Sequence, residues 1–296
     1  MQVERAIDGR QASGAALGIL CIFAGAAAMS GLDAIGKFLV ERYPVMQVLG
    51  IRAALAVAFL VPMIMYQGGL KVLRTDRPWV HLVRASAGMA AFLCFFFAVR
   101  VMNLADAVTV AFAAPLFMTA LAVPILGEKV GIRRWSATIV GFLGVMLVVE
   151  PTGGLAPGAL LAIGAAVFYA LAQVVTRSLG RTESMLSLVA YMSIMQLIVA
   201  GAVTPFVWVP VDPAHIWLLV MMAVLGLGAH YLTAVAYSRV AVAILAPFEY
   251  TALLWAVLLG YLVFQEIPAG NVWLGAAIIA GAGLYTAYRE RARRAG

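Results

Sequence analysis

Residues 18–39 of the chain read GILCIFAGAAAMSGLDAIGKFL, and residues 158–179 read GALLAIGAAVFYALAQVVTRSL. Each stretch is as long as the helix of roughly 20 residues that crosses the hydrocarbon core of a bilayer. Both begin with glycine, are rich in alanine, and carry polar side chains in their last third. A long apolar helix that occurs twice in one chain predicts a membrane protein built by duplication.

The rest of the chain has the same character. Of its 296 residues, 65% are hydrophobic and 11% are charged, and the mean hydropathy is +1.02. This composition lies far outside the range of soluble domains. We predict ten membrane-spanning helices, with loops too short to form a separate catalytic domain. The predicted spans are residues 14–36, 45–66, 80–99, 105–126, 134–149, 157–176, 186–208, 215–238, 241–264 and 271–288.

The repeat divides the chain into halves, residues 1–150 and 151–296. At an offset of 140 residues, one helical face carries large or polar side chains in both copies. Five spans in each half would insert the second copy from the opposite side. We therefore expect an all-α membrane protein with ten transmembrane helices, arranged as two inverted five-helix repeats around a central cavity, which is the plan of alternating-access transporters. The matched positions are Met29 and Tyr169, Asp33 and Gln173, Lys37 and Arg177, and, at an offset of 138, Glu128 and Glu266.

Basic residues are distributed unevenly among the predicted loops. Of the 20 Lys and Arg residues, Arg52 and Arg84 lie within spans, and Lys37, Arg42 and Arg100 face outward if both termini are cytoplasmic. All the others then face the cytoplasm, as the positive-inside rule requires. We expect a multi-pass protein of the bacterial inner membrane with both termini in the cytoplasm. The net charge of +7 then needs no nucleic-acid partner.

The end of the fourth predicted span carries a family pattern. Pro115 is followed by Gly127 and Glu128, and the next span is rich in glycine, with Gly141 and Gly144. This half resembles the EamA-type branch of the drug/metabolite transporter superfamily. The resemblance implies a ten-span transporter without a prosthetic group.

The second half departs from that pattern. Leu253 stands at the proline position, and Gln265 replaces the glycine before the glutamate. Residues 246–251, APFEYT, instead resemble the YddG-like exporters of aromatic and neutral amino acids. That likeness implies an amino-acid substrate.

Polar and aromatic side chains inside the spans are the candidates for a substrate pathway, because ionisable groups in a membrane tend to face protein or water. Glu249 is the leading candidate, since Pro247 loosens the helix just before it. Its carboxylate could bind a substrate ammonium group, accept a proton, or bond a neighbouring helix. The other predicted pathway residues are Tyr250, His230, Tyr169, Gln173, Phe95 and Phe112.

Three further charged residues are predicted to form a gate or an ion pair. Asp33 and Lys37 have the i,i+4 spacing of a helix salt bridge. Arg52 lies about 12 Å into the second span. Arg84 lies near the start of the third span and is expected to extend to the membrane surface. Glu266 is expected to be stabilised by the N-terminus of the helix that follows it.

Enzyme and channel signatures are absent from the sequence. It contains no H-E-x-x-H, no G-x-S-x-G and no phosphate-binding glycine-rich loop with lysine, and no acidic pore ring. We predict a secondary transporter, and the YddG-like resemblance implies that it exports neutral or aromatic amino acids, including methionine; the alternative is a multidrug or other metabolite exporter, and proton coupling is left open. The expected partners are amino acids and the lipid bilayer, with no metal or cofactor, and a monomer is the expected unit.

Overall fold

In the computed structural model of the chain, the described elements are helices joined by connections. Its backbone covers residues 2–127, 130–149, 156–179, 183–239, 245 and 248–295, and side chains are described in these ranges except at 2–15, 133, 134, 177, 185, 234, 237, 238, 286, 287 and 289–295. The helices are α1 (Gln2–Val40), α2 (Val45–Tyr66), α3 (Pro78–Val99), α4 (Leu104–Ala111), α5 (Ala114–Leu126), α6 (Ile132–Val149), α7 (Pro157–Leu179), α8 (Met185–Val203), α9 (Pro213–Arg239), α10 (Thr251–Phe264) and α11 (Gly270–Ala295).

Among the described residues, seven helical segments, with α4 and α5 taken as one, are long and apolar enough to cross a membrane. They match seven of the predicted spans. Three shorter apolar helices, Trp135–Val149, Thr251–Phe264 and Gly270–Tyr285, lie at the predicted fifth, ninth and tenth spans. Residues 240–244, 246 and 247 of the predicted ninth span lie outside the described residues. The all-α membrane class is confirmed, and ten crossings stay a prediction.

The predicted fourth span is not one continuous helix. It breaks at Phe112 and Ala113, between α4 and α5. Pro115 explains the break, because proline has no N–H to donate to the carbonyl of Ala111, four residues earlier, and its ring clashes with that carbonyl in a continuous helix. The backbone N–H of Ala113 bonds instead to the carbonyl of Val110, in a tighter turn with an N···O distance of 3.0 Å.

Close packing joins helices of the two halves. α1 packs against α9 and α10, α7 packs against α3, α4 and α5, α2 packs against α8, and α6 packs against α11. The largest core cluster includes Leu32, Phe96 and Met222, which are fully buried. Gly36 on α1 faces Phe96 so closely that a Cβ at this position would overlap the ring. Small residues therefore allow this close approach, as is common between membrane helices.

The loops collect at two ends of the bundle. At the α1–α2 junction, Lys37 contacts Met102, in the connection between α3 and α4, and Tyr43 contacts His215, in the first turn of α9. We call this the Lys37 end. At the other end of α2, the connection to α3 contacts Glu183, just before α8; we call this the Glu183 end. A cleft of about 770 Å³ opens at the Glu183 end beside Thr75.

Candidate functional site

A buried arginine lies among four helices of the bundle. Arg52 on α2 is 8% exposed, and its Nη1 donates a hydrogen bond to Oε1 of Gln196 on α8 at 3.3 Å. The guanidinium carbon lies 4.7 Å from the ring centroid of Phe92 on α3, which is a cation–π contact. Gly226 on α9 leaves room for the guanidinium, because a Cβ there would lie 3.3 Å from Nη2.

Two nitrogen donors of this group have no protein partner. Arg52 Nε and Gln196 Nε2 are buried and form no hydrogen bond with any described residue, and a missing hydrogen bond of this kind typically costs about 1–3 kcal/mol for each group. Asp33 on α1 is half-buried and interacts electrostatically with Arg52, but among the described residues no direct ion pair joins the two. His230, one turn beyond Gly226, also lies within electrostatic range of Arg52. We call Asp33, Arg52 and Gln196 the Arg52 cluster.

A second group gathers five of the seven predicted pathway residues. Gln173 on α7 donates from Nε2 to the hydroxyl of Tyr169, at 2.9 Å. The rings of Phe112 and Tyr250 lie 5.3 Å apart between centroids. Glu249 interacts electrostatically with both tyrosines. This group, the Tyr169 cluster, therefore combines three aromatic rings, an amide and a carboxylate, which suits a flat or cationic ligand group.

The i,i+4 spacing predicts an ion pair between Lys37 and Asp33, but the structure does not contain this pair. Lys37 Nζ forms an ion pair with Glu266, which follows α10, and donates to the carbonyl of Met102 at 2.9 Å. The reason is that Lys37 lies one turn nearer the end of α1, where these acceptors are within reach, whereas Asp33 faces Arg52. Glu266 in turn accepts from the backbone N–H of Leu104 at 2.9 Å. Glu266 therefore bonds the first turn of α4. The prediction had placed this carboxylate at the N-terminus of the helix that follows Glu266.

Three other residues have roles that their sequence positions did not predict. Arg84 is 8% exposed and donates to the carbonyl of Leu188 on α8, so it joins two helices and does not extend to the surface. Phe95 is half-buried and packs edge-on against the core residue Phe96, with centroids 5.5 Å apart, and its place in the pathway stays a prediction. Asp106 on α4 has one buried carboxylate oxygen without a partner, near Lys37 and Glu266.

Gln196 and Asp106 are not among the site residues predicted from the sequence. Both are polar residues inside an apolar stretch, so the criterion that selected Asp33 and Arg52 would have found them as well. Their partners, by contrast, come from other helices and depend on the fold. Among the described residues, no group of His, Cys, Asp and Glu side chains is arranged to hold a metal ion.

The family follows from comparison with known proteins. A model of the EamA-like transporter family matches residues 16–150 and again residues 156–288. The chain belongs to the EamA-like transporter family. The family consists of transporters, so this EamA-like chain is a membrane transporter and not an enzyme.

Named relatives of this EamA-like chain carry different metabolites. It is 30% identical, over 88% of both chains, to an S-adenosylmethionine uptake transporter of Rickettsia prowazekii. It is 32% identical to a riboflavin transporter of Rhizobium johnstonii, over 76% of this chain and 75% of the relative. It is 27% identical to the pseudopaline exporter of Pseudomonas aeruginosa, over 90% and 95%. These three do not include an amino-acid exporter, so the YddG-like likeness stays a prediction.

A crystal structure resembles the EamA-like chain over nearly its whole length. The TM-score is 0.63, with 96% of this chain and 98% of the other covered and 19% of residues identical. At that identity the likeness shows the fold alone. The fold of the whole chain is therefore one already seen by crystallography.

Proposed function

We propose that the chain is a secondary transporter working by alternating access, with two inverted repeats, residues 1–150 and 151–296. Helix packing supports this arrangement. When the two halves are exchanged, the α1–α9 contact corresponds to the α7–α3 contact, and the α1–α10 contact corresponds to the contacts of α7 with α4 and α5. The α2–α8 and α6–α11 contacts correspond to themselves. A pseudo-two-fold axis in the membrane plane produces this pattern and allows the site to open to each side in turn.

Two histidine contacts support the same axis. At the Glu183 end, Nε2 of His81, in the first turn of α3, lies 3.5 Å from Glu183, two residues before α8. At the Lys37 end, Nδ1 of His215, in the first turn of α9, lies 2.8 Å from the hydroxyl of Tyr43, two residues before α2. Each contact therefore joins equivalent positions of opposite halves, at opposite ends of the bundle.

The distribution of basic residues supports an orientation. The connection at the Glu183 end carries Lys71, Arg74 and Arg77, so the positive-inside rule puts this end in the cytoplasm. Both termini then lie in the cytoplasm of a bacterium, and the Lys37 end faces outward. In this conformation the Lys37–Glu266 pair joins the two halves on the outer side.

S-adenosylmethionine, or a close relative of it, is the substrate that the observations favour. The single observation that carries this proposal is the 30% identity with an S-adenosylmethionine uptake transporter over 88% of both chains. The molecule combines an adenine ring, a sulfonium cation and an amino-acid group. The rings of the Tyr169 cluster suit the adenine, and Glu249 with those rings suits the sulfonium.

A second candidate substrate is riboflavin, since the riboflavin transporter is 32% identical to this chain. Its flat ring also suits the Tyr169 cluster. Export of neutral or aromatic amino acids such as methionine, and export of drugs, remain predictions from the sequence.

Uptake of radiolabelled S-adenosylmethionine into liposomes holding the purified protein tests the proposal, first without and then with an imposed pH gradient. We expect uptake without a gradient that unlabelled S-adenosylmethionine suppresses. Uptake of riboflavin or methionine in its place would contradict the assignment of substrate but keep the carrier.

A further inference from the structure

The Arg52 cluster has donors and charges that the protein leaves without direct partners. Arg52 is 8% exposed and Gln196 is 3% exposed, and each has a buried nitrogen donor with no hydrogen-bond partner. The two side chains touch through the 3.3 Å bond from Arg52 Nη1 to Gln196 Oε1. Because that bond turns the Gln196 carbonyl oxygen toward the guanidinium, the amide nitrogen remains available for another acceptor.

The opposite charge of the cluster is nearby but not directly bonded. Asp33 is the acidic group within electrostatic range of Arg52, and no ion pair or hydrogen bond joins Asp33 to any described residue. Neither of its oxygens is among the buried atoms that lack a partner. Each oxygen of Asp33 therefore keeps some exposure to solvent.

We propose that the Arg52 cluster binds the α-amino-carboxylate group of the substrate. Arg52 and Gln196 Nε2 donate to the carboxylate, and Asp33 accepts from the ammonium. This proposal rests on the proposed function, which assigns the adenosine part of the substrate to the Tyr169 cluster. It adds a site for the amino-acid group, which riboflavin lacks. Protein atoms cover both donors in this conformation, so the substrate reaches them when the Lys37 end is open.

A zwitterion fits this cluster better than a simple anion or cation. A lone anion would neutralise Arg52 and leave Asp33 facing a second negative charge, and a lone cation would do the reverse. Buried charges without partners are costly. Among the described residues of the other helices, Phe92 on α3 stacks on Arg52, and His230 on α9 is a further titratable group within electrostatic range. An amino-acid group with both charges pairs each residue and adds no net charge.

Binding of three related ligands to variants of the purified protein tests the proposal. The ligands are S-adenosylmethionine, its decarboxylated form, and 5′-methylthioadenosine, which lacks the whole amino-acid group. We expect Arg52→Gln to weaken the binding of S-adenosylmethionine about 10- to 100-fold, which is the effect of losing one charged hydrogen-bonding group. The affinity for the decarboxylated ligand should stay nearly unchanged. Asp33→Asn should weaken the binding of both of these ligands and leave the affinity for 5′-methylthioadenosine unchanged.

Arg84→Gln is the matched control, because Arg84 is equally buried but bonds only the carbonyl of Leu188 in the described chain. Any effect of this control should be the same for all three ligands. If Arg52→Gln does not fold, Gln196→Leu removes one of the donors without changing the charge, and the same selective loss is expected. An equal loss for all ligands in either variant would overturn the proposal.

The test separates this inference from the choice of S-adenosylmethionine. If the unaltered protein binds none of the three ligands, the proposed substrate is wrong. Methionine, 4-(methylthio)butanoate and 3-(methylthio)propylamine then replace them on the same variants. The same selective pattern with methionine would support the amino-carboxylate site, and failure to bind methionine as well would overturn it.

Discussion

Asp33 and Lys37 lie one turn apart on α1 and yet belong to different parts of the molecule. Lys37 reaches Glu266 and the Met102 carbonyl at the end of the bundle, whereas Asp33 faces Arg52. Their i,i+4 spacing permits a pair in an isolated helix, where such pairs contribute only about 0.2–0.5 kcal/mol. A buried lysine gains more from acceptors on two other segments, so the tertiary contact prevails.

Gln265 adopts a conformation that usually requires glycine. Its φ is 57°, and its counterpart in the first half, Gly127, has a φ of 66°. Each of these residues ends a helix and directly precedes a glutamate in the sequence. The left-handed conformation costs about 1–2 kcal/mol in a residue that carries a side chain. We expect Gln265→Gly to stabilise the purified protein by about 0.5–1 kcal/mol, after the added freedom of glycine in the unfolded chain is counted.

Thermal denaturation in detergent measures this change. Gly127→Gln is the mirror control and should lower the melting temperature. A melting temperature that falls in Gln265→Gly would show that the glutamine side chain is needed for a contact at this turn.

The helices that surround the Arg52 cluster approach one another at glycines. Gly36 on α1 faces the Phe96 ring, and Gly88 on α3 faces the end of the Met192 side chain. The sequence predicted these helices well, because their apolar length is a strong signal. The sequence did not predict the break at Phe112, because the apolar run continues through the break. Pro115 was noted there only as part of the family pattern. The neighbour that each glycine meets also follows only from the packed structure.

Those two glycines should respond differently to the same substitution. In Gly36→Ala the new Cβ would overlap a fully buried, rigid ring, and overpacking of this kind typically costs about 1–3 kcal/mol. In Gly88→Ala it would meet a flexible methionine that can move aside. We expect Gly36→Ala to lower the thermal stability clearly and Gly88→Ala to lower it little; equal losses would contradict the packing described here.

The two halves of the molecule are joined at the Lys37 end by a buried ion pair. The side chains of Lys37 and Glu266 are 4% and 17% exposed, and removing one partner of such a pair leaves a costly unpaired charge. In the proposed cycle, this pair holds the outer side closed. The sequence repeat predicted two related halves, but which charges join them required the structure.

Loss of this pair should open the outer side. Met29 lies two turns deeper than Lys37 on the same face of α1, so a cysteine there reports access from outside. With Cys21 and Cys94 replaced by serine, we expect Met29→Cys to react faster with a membrane-impermeant maleimide when Lys37→Met is added. Arg42→Met is the control, because Arg42 is exposed and its contacts among the described residues are local, with the carbonyl and ring of Phe38 and the carboxylate of Glu41. An unchanged rate in Lys37→Met would show that the pair does not close the pathway.

The most direct test of the central claim is counterflow in liposomes. Vesicles holding the protein are loaded with unlabelled S-adenosylmethionine and diluted into a trace of the labelled compound. An alternating-access carrier of this substrate predicts transient accumulation of label above its outside concentration, with no such accumulation after loading with 5′-methylthioadenosine. Equilibration without accumulation, or counterflow with riboflavin but not with S-adenosylmethionine, would contradict the account.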